Sequence, residues 1–230
     1  MKKTKFTLIL LLMTFGIPSS ILAQDWPNLK QFQEDNIAVG QPEDDENRVV
    51  FMGNSITIGW SNARPEFFEG KPYINRGIGG QTTPQMLIRF RQDVLALHPK
   101  VVVLLAGTND IAGNTGPSTI EMIADNIKSM AEIAHANGIK VVLSSTLPAY
   151  DYPWKPGLEP AEKIVTLNAI IKAYCAEKGH IYLDYFTAMA DERKGLPKKY
   201  ANDEVHPTVE GYKVMEPLVE AAIAEALAKE

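Results

Sequence analysis

Val101-Val102-Val103-Leu104-Leu105-Ala106, followed at once by Gly107-Thr108-Asn109-Asp110, is the stretch that decides the fold. Six apolar residues with no polar one between them, the first three β-branched, describe a strand buried on both faces. A strand with one wet face alternates instead. Strands buried on both faces belong to parallel sheets, whose crossover helices cover the two sides. The abrupt polar block after Ala106 marks a loop at the strand's carboxyl end.

The flanking sequence repeats the pattern. Val49-Val50-Phe51-Met52 reads as another strand and Pro72-Tyr73-Ile74-Asn75 as a weaker one, with Val141-Val142-Leu143-Ser144-Ser145 and Ile181-Tyr182-Leu183-Asp184 further on. Between them, Pro84 to Ala96 reads as a helix with proline in its first turn. Ser118 to Asn137 is a helix with Ser118 as cap, Glu121 three residues later and Gly138 as stop. Ala161 to Glu177 is a helix closed by Gly179, and Val209 to Ala228 is the last. Such alternation implies right-handed βαβ crossovers and a three-layer α/β/α sandwich around a parallel sheet of about five strands.

No internal repeat or low-complexity linker divides the chain, and the proline-rich stretch Tyr152 to Gly157 reads as a loop excursion. One domain is expected over 48–230, preceded by a polar lead-in over 24–47 that ends in Glu43-Asp44-Asp45-Glu46, a solvated acidic turn. Residues 1–23 read as a secretory signal peptide: Lys2, Lys3 and Lys5, an apolar run from Phe6 to Ile17, then small residues up to Ala23. That run is short for a membrane span, which takes ~20 apolar residues. The expected location is therefore the periplasm or exterior of a bacterium, with no stable membrane insertion once the leader is removed.

Removing the leader takes away three lysines and no acidic residue, so the net charge moves from −5 to −8. Nucleic acid and anionic membrane surfaces, which both need a basic footprint, are not expected partners. The one cysteine, Cys175, lies in a helical pattern and cannot form an internal disulfide, so the core must be sufficient alone.

In a parallel sheet, ligands bind beyond the carboxyl ends of the strands. Ser55 follows the first strand, Gly79-Gly80 the second and Asn109 the third, while Asp203 and His206 occupy the long loop after the fifth. Loops far apart in sequence thus converge on one edge. A serine hydroxyl needs a base, a carboxylate to orient that base, and donors for the oxyanion that forms. These segments contain all of those parts. Each also has a plainer reading taken singly: Ser55 as a helix cap, Asp203 as a turn residue, His206 as a surface histidine. His98 and His135 read as surface residues and His180 as the edge of the last strand.

Four blocks in this order, Gly53-Asn54-Ser55-Ile56-Thr57, Asn75-Arg76-Gly77-Ile78-Gly79-Gly80-Gln81-Thr82, Gly107-Thr108-Asn109-Asp110 and Asp203-Glu204-Val205-His206, resemble the SGNH (GDSL-type) esterase and lipase family. The resemblance implies a flavodoxin-like fold with Ser55 as nucleophile, His206 as general base and Asp203 as its orienting acid. It also implies an oxyanion hole made by the Ser55 and Gly80 backbone N–H groups and the Asn109 amide, with Gly77 and Gly79 serving the turn. Asp110 reads as a supporting or capping group. The family's first block usually carries aspartate where Asn54 stands, a change beside the nucleophile and outside the triad. Trp60, Arg76 and Trp154, with Tyr152, are candidates for lining a substrate pocket, against a plainer reading as buried structural residues. No cofactor and no metal are expected, since the histidines are scattered and no ligand-spaced carboxylate or cysteine set occurs.

The resulting expectation is a secreted serine esterase acting through an acyl-enzyme on a small-molecule or glycan ester, with short acyl groups such as acetyl favoured. The alternatives are a lysophospholipase or lipase on longer chains, an acyltransferase using the same intermediate, and a non-catalytic carbohydrate-binding module on the same fold.

Overall fold

The computed structural model describes residues 25–229; the expected signal peptide, 1–23, lies outside the described residues. The elements run in order α1 (Gln33–Val39), β1 (Val49–Gly53), α2 (Ser55–Ala63), α3 (Pro65–Phe68), β2 (Tyr73–Gly77), α4 (Thr83–Asp93), β3 (Val101–Leu105), α5 (Thr108–Ile111), α6 (Ile120–Ala136), β4 (Lys140–Ser144), α7 (Pro160–Lys178), β5 (Ile181–Leu183), α8 (Tyr185–Met189) and α9 (Val209–Ala228). All pairings are parallel, in the order β2-β1-β3-β4-β5. This is the flavodoxin-like order, with its switch point between β1 and β3.

The period of two along each strand sorts the core into two layers. Val50, Met52, Val102, Leu104, Val141 and Leu143 face α4, α6 and α7, where they meet Met86, Phe90, Ile123, Ile127, Leu167 and Ile171. Val49, Phe51, Val101, Val103, Leu105 and Val142 face α2 and α9, where they meet Ile56, Trp60, Tyr212, Met215 and Val219. Every residue of β1 and β3 is buried, as the unbroken apolar runs require.

Some boundaries differ from the sequence expectation. The cap of α6 is Thr119, whose hydroxyl accepts from Met122 N–H at 3.2 Å, and not Ser118. The helix expected to reach Ala96 stops at Asp93, and its last turn tightens into a 3₁₀ turn over Leu95–Leu97. The expected Gly179 stop of α7 is present, with φ of 75°. The lead-in is not featureless: it carries α1, whose Asn36 amide donates to the Gln92 carbonyl at 3.1 Å and to Asp93 Oδ1 at 2.9 Å. Among the described residues no helix is long and apolar enough to cross a membrane.

The helix α4 carries a wholly buried ion pair, Arg89–Asp93, at 3.0 Å. Arg89 Nη2 donates to the Gly53 and Arg76 carbonyls at 3.0 and 2.9 Å, and its Nε donates to Gln81 Oε1 at 2.5 Å. Removing the arginine alone strands a buried carboxylate. Arg89→Met is therefore expected to cost about 3–5 kcal/mol of stability. The double variant Arg89→Met/Asp93→Leu is expected to cost less, because the Asp93 carboxylate is then not left buried without its cation. Urea unfolding of both proteins checks this, and a double variant less stable than Arg89→Met would refute it.

Candidate active site

The site is built at the carboxyl edge of the sheet, beginning with the junction between β1 and α2. Asn54 is the cap of α2: its side-chain oxygen accepts from Ile56 N–H at 3.0 Å, and it is 1% exposed. With the capping role taken by Asn54, the Ser55 hydroxyl in the first turn is free to point elsewhere. It lies 2.9 Å from His206 Nε2. The plainer reading of Ser55 as a cap is thus excluded. The oxygen of Asn54 does what an aspartate oxygen does at a cap, so the departure from the usual family block leaves the local geometry intact. Gly77, at the end of β2, permits this crowding, since a Cβ there would lie 2.3 Å from Ile58 N and 2.8 Å from the Asn54 carbonyl.

The other half comes from one tight turn before α9. Asp203 Oδ1 accepts from the Val205 and His206 backbone N–H groups at 3.0 and 2.7 Å, and its Oδ2 lies 2.7 Å from His206 Nδ1. Glu204 takes a left-handed φ of 63°, which folds the turn back on itself. An acceptor at Nδ1 selects the tautomer with hydrogen on Nδ1, which leaves a lone pair on Nε2 toward Ser55 Oγ. Burial pulls the Asp203 carboxyl upward, but the backbone N–H groups and the imidazole outweigh it and hold it below the usual range. The Ser55–His206–Asp203 relay is half-exposed, with 40% of the His206 and Asp203 side chains open to water.

Asn109 sits in α5, only 4% exposed, and its amide donates to the Gln81 carbonyl at 2.9 Å. Among the described residues the second hydrogen of that amide has no acceptor in the chain. Gly80 takes a left-handed φ of 74° and its carbonyl accepts from Asn114 at 3.1 Å. Asp110 is buried against the first turn of α4, whose cap is Thr82: it accepts from Thr83 N–H at 2.9 Å and from the Thr83 hydroxyl at 2.6 Å. Burial raises its carboxyl to about 6 despite those bonds.

Of the four pocket candidates, Trp154 is brought beside His206, and Tyr152 lies behind it in the lining of the cleft next to Asp203. Trp154 is 45% exposed, stacks on the buried Tyr152 at 5.1 Å, and its ring centre lies 5.8 Å from that of His206. Trp60 is corrected to a core residue, 2% exposed and stacked between Phe67 at 4.9 Å and Tyr212 at 5.4 Å. Arg76 is corrected too: it is 5% exposed, lies under the Phe32 ring and donates to Asn36 and the Asn75 carbonyl, facing the lead-in.

Gln81 was not singled out by the sequence, because its importance lies in contacts with residues distant along the chain. Beside Asp203 opens a cleft of about 300 Å³, lined by Asp151, Tyr152, Pro153, Lys198, Asn202 and Glu204 among others. Among the described residues no group of three or more His, Cys, Asp or Glu side chains is placed to hold a metal ion.

Comparison with known proteins agrees with this fold. Residues 51–214 match the GDSL-like lipase/acylhydrolase family. The crystal structure of a GDSL-like lipase from Bacteroides thetaiotaomicron is 48% identical, covers 87% of this chain and 98% of its own, and superposes with a TM-score of 0.84. An acetylxylan esterase of Xylanibacter ruminicola is 25% identical over 223 residues, 81% of this chain and 45% of that protein. A 78-residue stretch is 37% identical to an uncharacterized lipoprotein of Bacillus subtilis (strain 168), covering 33% of this chain and 32% of that one. The chain spans less than half the length of both of these curated relatives. With the fold, the sheet-edge blocks and the matched residues in accord, this chain belongs to the GDSL-like lipase/acylhydrolase family.

Proposed function

We propose that the protein is an exported serine esterase that removes short acyl groups, acetyl above all, from a carbohydrate. The observation that carries the reading is the unbroken relay, 2.9 Å from Ser55 Oγ to His206 Nε2 and 2.7 Å from His206 Nδ1 to Asp203. As the Ser55 oxygen attacks the ester carbonyl carbon, His206 Nε2 takes its proton and Asp203 stabilises the imidazolium. The tetrahedral oxyanion receives hydrogen bonds from the Ser55 and Gly80 backbone N–H groups and from the Asn109 amide. Its collapse breaks the bond to the alcohol oxygen, which takes the proton from His206. Water then repeats the cycle on the acyl-enzyme and releases the acid.

Substrate class follows from what borders the relay. The cleft beside Asp203 sets Lys198, Asn202 and three carboxylates, which suit hydroxyls, beside Tyr152, Pro153 and Pro156, which suit the apolar face of a sugar ring. Trp154 presents a flat indole next to His206, where the leaving alcohol must sit, as a surface for a sugar ring. The likeness to an acetylxylan esterase supports the same class. Export is supported by the basic and apolar leader over 1–23 and by the likeness to a lipoprotein.

Ser55→Ala is expected to fold normally and to lose on the order of 10⁶ in kcat. p-Nitrophenyl acetate hydrolysis beside a circular dichroism spectrum checks this, and near-normal turnover by the folded variant refutes the nucleophile.

The base must be the neutral imidazole, so kcat/KM is expected to rise with pH through a limb that counts one proton. Asp203, with its carboxyl held below the usual range, stays ionised across that limb and adds no second proton. His206→Ala should remove both the activity and the limb; a residual profile of unchanged shape in that variant would assign the base elsewhere.

Each methylene buried in an apolar groove would add about 0.8 kcal/mol of binding. For the short acyl pocket proposed, kcat/KM for monomeric p-nitrophenyl esters is expected to peak at acetate or the next few homologues and fall toward decanoate. A steady climb with chain length would point to a lipase.

A further inference from the structure

Residues 26–39 precede the family match, which begins at residue 51, yet three of their backbone carbonyls are held by three glutamines at α4. Gln85 Nε2 donates to the Trp26 carbonyl at 2.7 Å, Gln92 Nε2 to the Leu29 carbonyl at 2.6 Å, and Gln81 Nε2 to the Pro27 carbonyl at 2.7 Å. Gln85 and Gln92, two turns apart, share one face of α4, and Gln81 stands just before its cap. The lead-in is thus laid along the helix. Phe32, 6% exposed, covers Arg76 at 4.7 Å and Arg89 at 6.0 Å, and Asn36 takes Arg76 Nε at 2.9 Å.

Gln81 differs from the other two glutamines. Its side chain is held at both ends, with the amide nitrogen on Pro27 and the amide oxygen on Arg89. Its backbone carbonyl accepts the Asn109 amide at 2.9 Å. That bond uses one of the two amide hydrogens and fixes the plane in which the other points. A donor preorganised toward the developing oxyanion is effective because it does not reorient during the reaction. Rotational freedom at Gln81 would pass directly to that donor.

We infer that the lead-in is a positioning element of the active site, which acts by clamping Gln81 and, through the Gln81 carbonyl, the Asn109 amide. The inference rests on the proposed role of Asn109 as an oxyanion donor. It makes the segment before the family's shared core part of the catalytic apparatus of this chain and not a spacer behind a leader.

The test uses Gln81→Glu and Gln81→Ala in the full chain. The carboxylate of Gln81→Glu still accepts from Arg89, beside Asp93, but has no hydrogen to donate to Pro27, so it breaks the clamp between Gln81 and the lead-in while the bond to Arg89 stays. Loss of a whole oxyanion donor costs about 10²–10³ in kcat, and a loosened one is expected to cost about tenfold. With p-nitrophenyl acetate, kcat should fall about tenfold in Gln81→Glu and at least as far in Gln81→Ala, the drop coming from weaker oxyanion stabilisation. KM should stay within about twofold and the shape of the pH limb should be retained, because neither ground-state binding nor His206 is touched. A Gln81→Glu protein with a lowered Tm but wild-type kcat would reduce the lead-in to a structural cover and overturn the inference. So would a fall confined to KM. If Gln81→Ala does not fold, Gln81→Glu decides alone. Should the wild-type protein hydrolyse no ester, or Ser55→Ala remain active, the esterase reading itself fails, an outcome separate from either result at Gln81.

Discussion

The site depends on one buried cation. Arg89 lies in the dry layer between α4 and the sheet, and burial pushes its guanidinium down from its usual range while Asp93 pulls it back. A charge in that position is costly unless its donors are used. Four bonds use them: to Asp93, to Gln81, and to the carbonyls of Gly53 and Arg76. Those two carbonyls stand at the carboxyl ends of β1 and β2. Ser55 follows one by two residues and Gly80 follows the other by four. A single planar group therefore sets the spacing of the two loops that, in the proposed reaction, meet one substrate carbonyl.

Around that fixed point the site divides into parts of different reach. The Asp203–His206 half is local: one turn of four residues satisfies the carboxylate with its own backbone and aims the ring. Ser55 depends on the cap beside it, since the Asn54 side chain occupies the helix terminus that the serine would otherwise serve. Asn109 depends on the whole fold. Its bond to Gln81 joins the loop after β3 to the loop after β2, and Gln81 joins both to the lead-in and to Arg89.

That division explains what was legible in the sequence. The unbroken apolar runs at Val49 and Val101 carried the sheet, because continuous burial leaves no other way to cover both faces. Ser55, Asn109, Asp203 and His206 stood out because residues at strand ends must meet at one edge. The short helices α3, α5 and α8 did not show, being less than two turns long and so carrying no period. Trp60 and Arg76 looked like pocket residues because composition cannot tell which face of an element a side chain takes. Trp60 faces the aromatic layer with Phe67 and Tyr212, and Arg76 faces Phe32. Gln81 was invisible for the opposite reason: nothing in its neighbourhood along the chain hints at Arg89, Pro27 and Asn109 meeting on it.

The gradient of burial across the site fits the order of events in the proposed reaction. Asn109, Gln81 and Asn54 are nearly inaccessible, while His206 and Asp203 remain half open. Hydrogen bonds to a developing negative charge are worth most where water is excluded, so the dry side is the right one for the oxyanion. Deacylation needs the reverse, because a water molecule must reach the acyl-enzyme from the side on which His206 can take its proton. Trp154 borders that open side without sealing it, leaving the ring of His206 between an indole face and solvent. A fully buried relay would hold the imidazolium poorly and starve the second step. A fully wet oxyanion site would lose the preorganisation on which the first step depends. The sheet edge satisfies both requirements by placing the amide donor within the scaffold that Arg89 organises and the base on a loop that reaches back from the far edge strand.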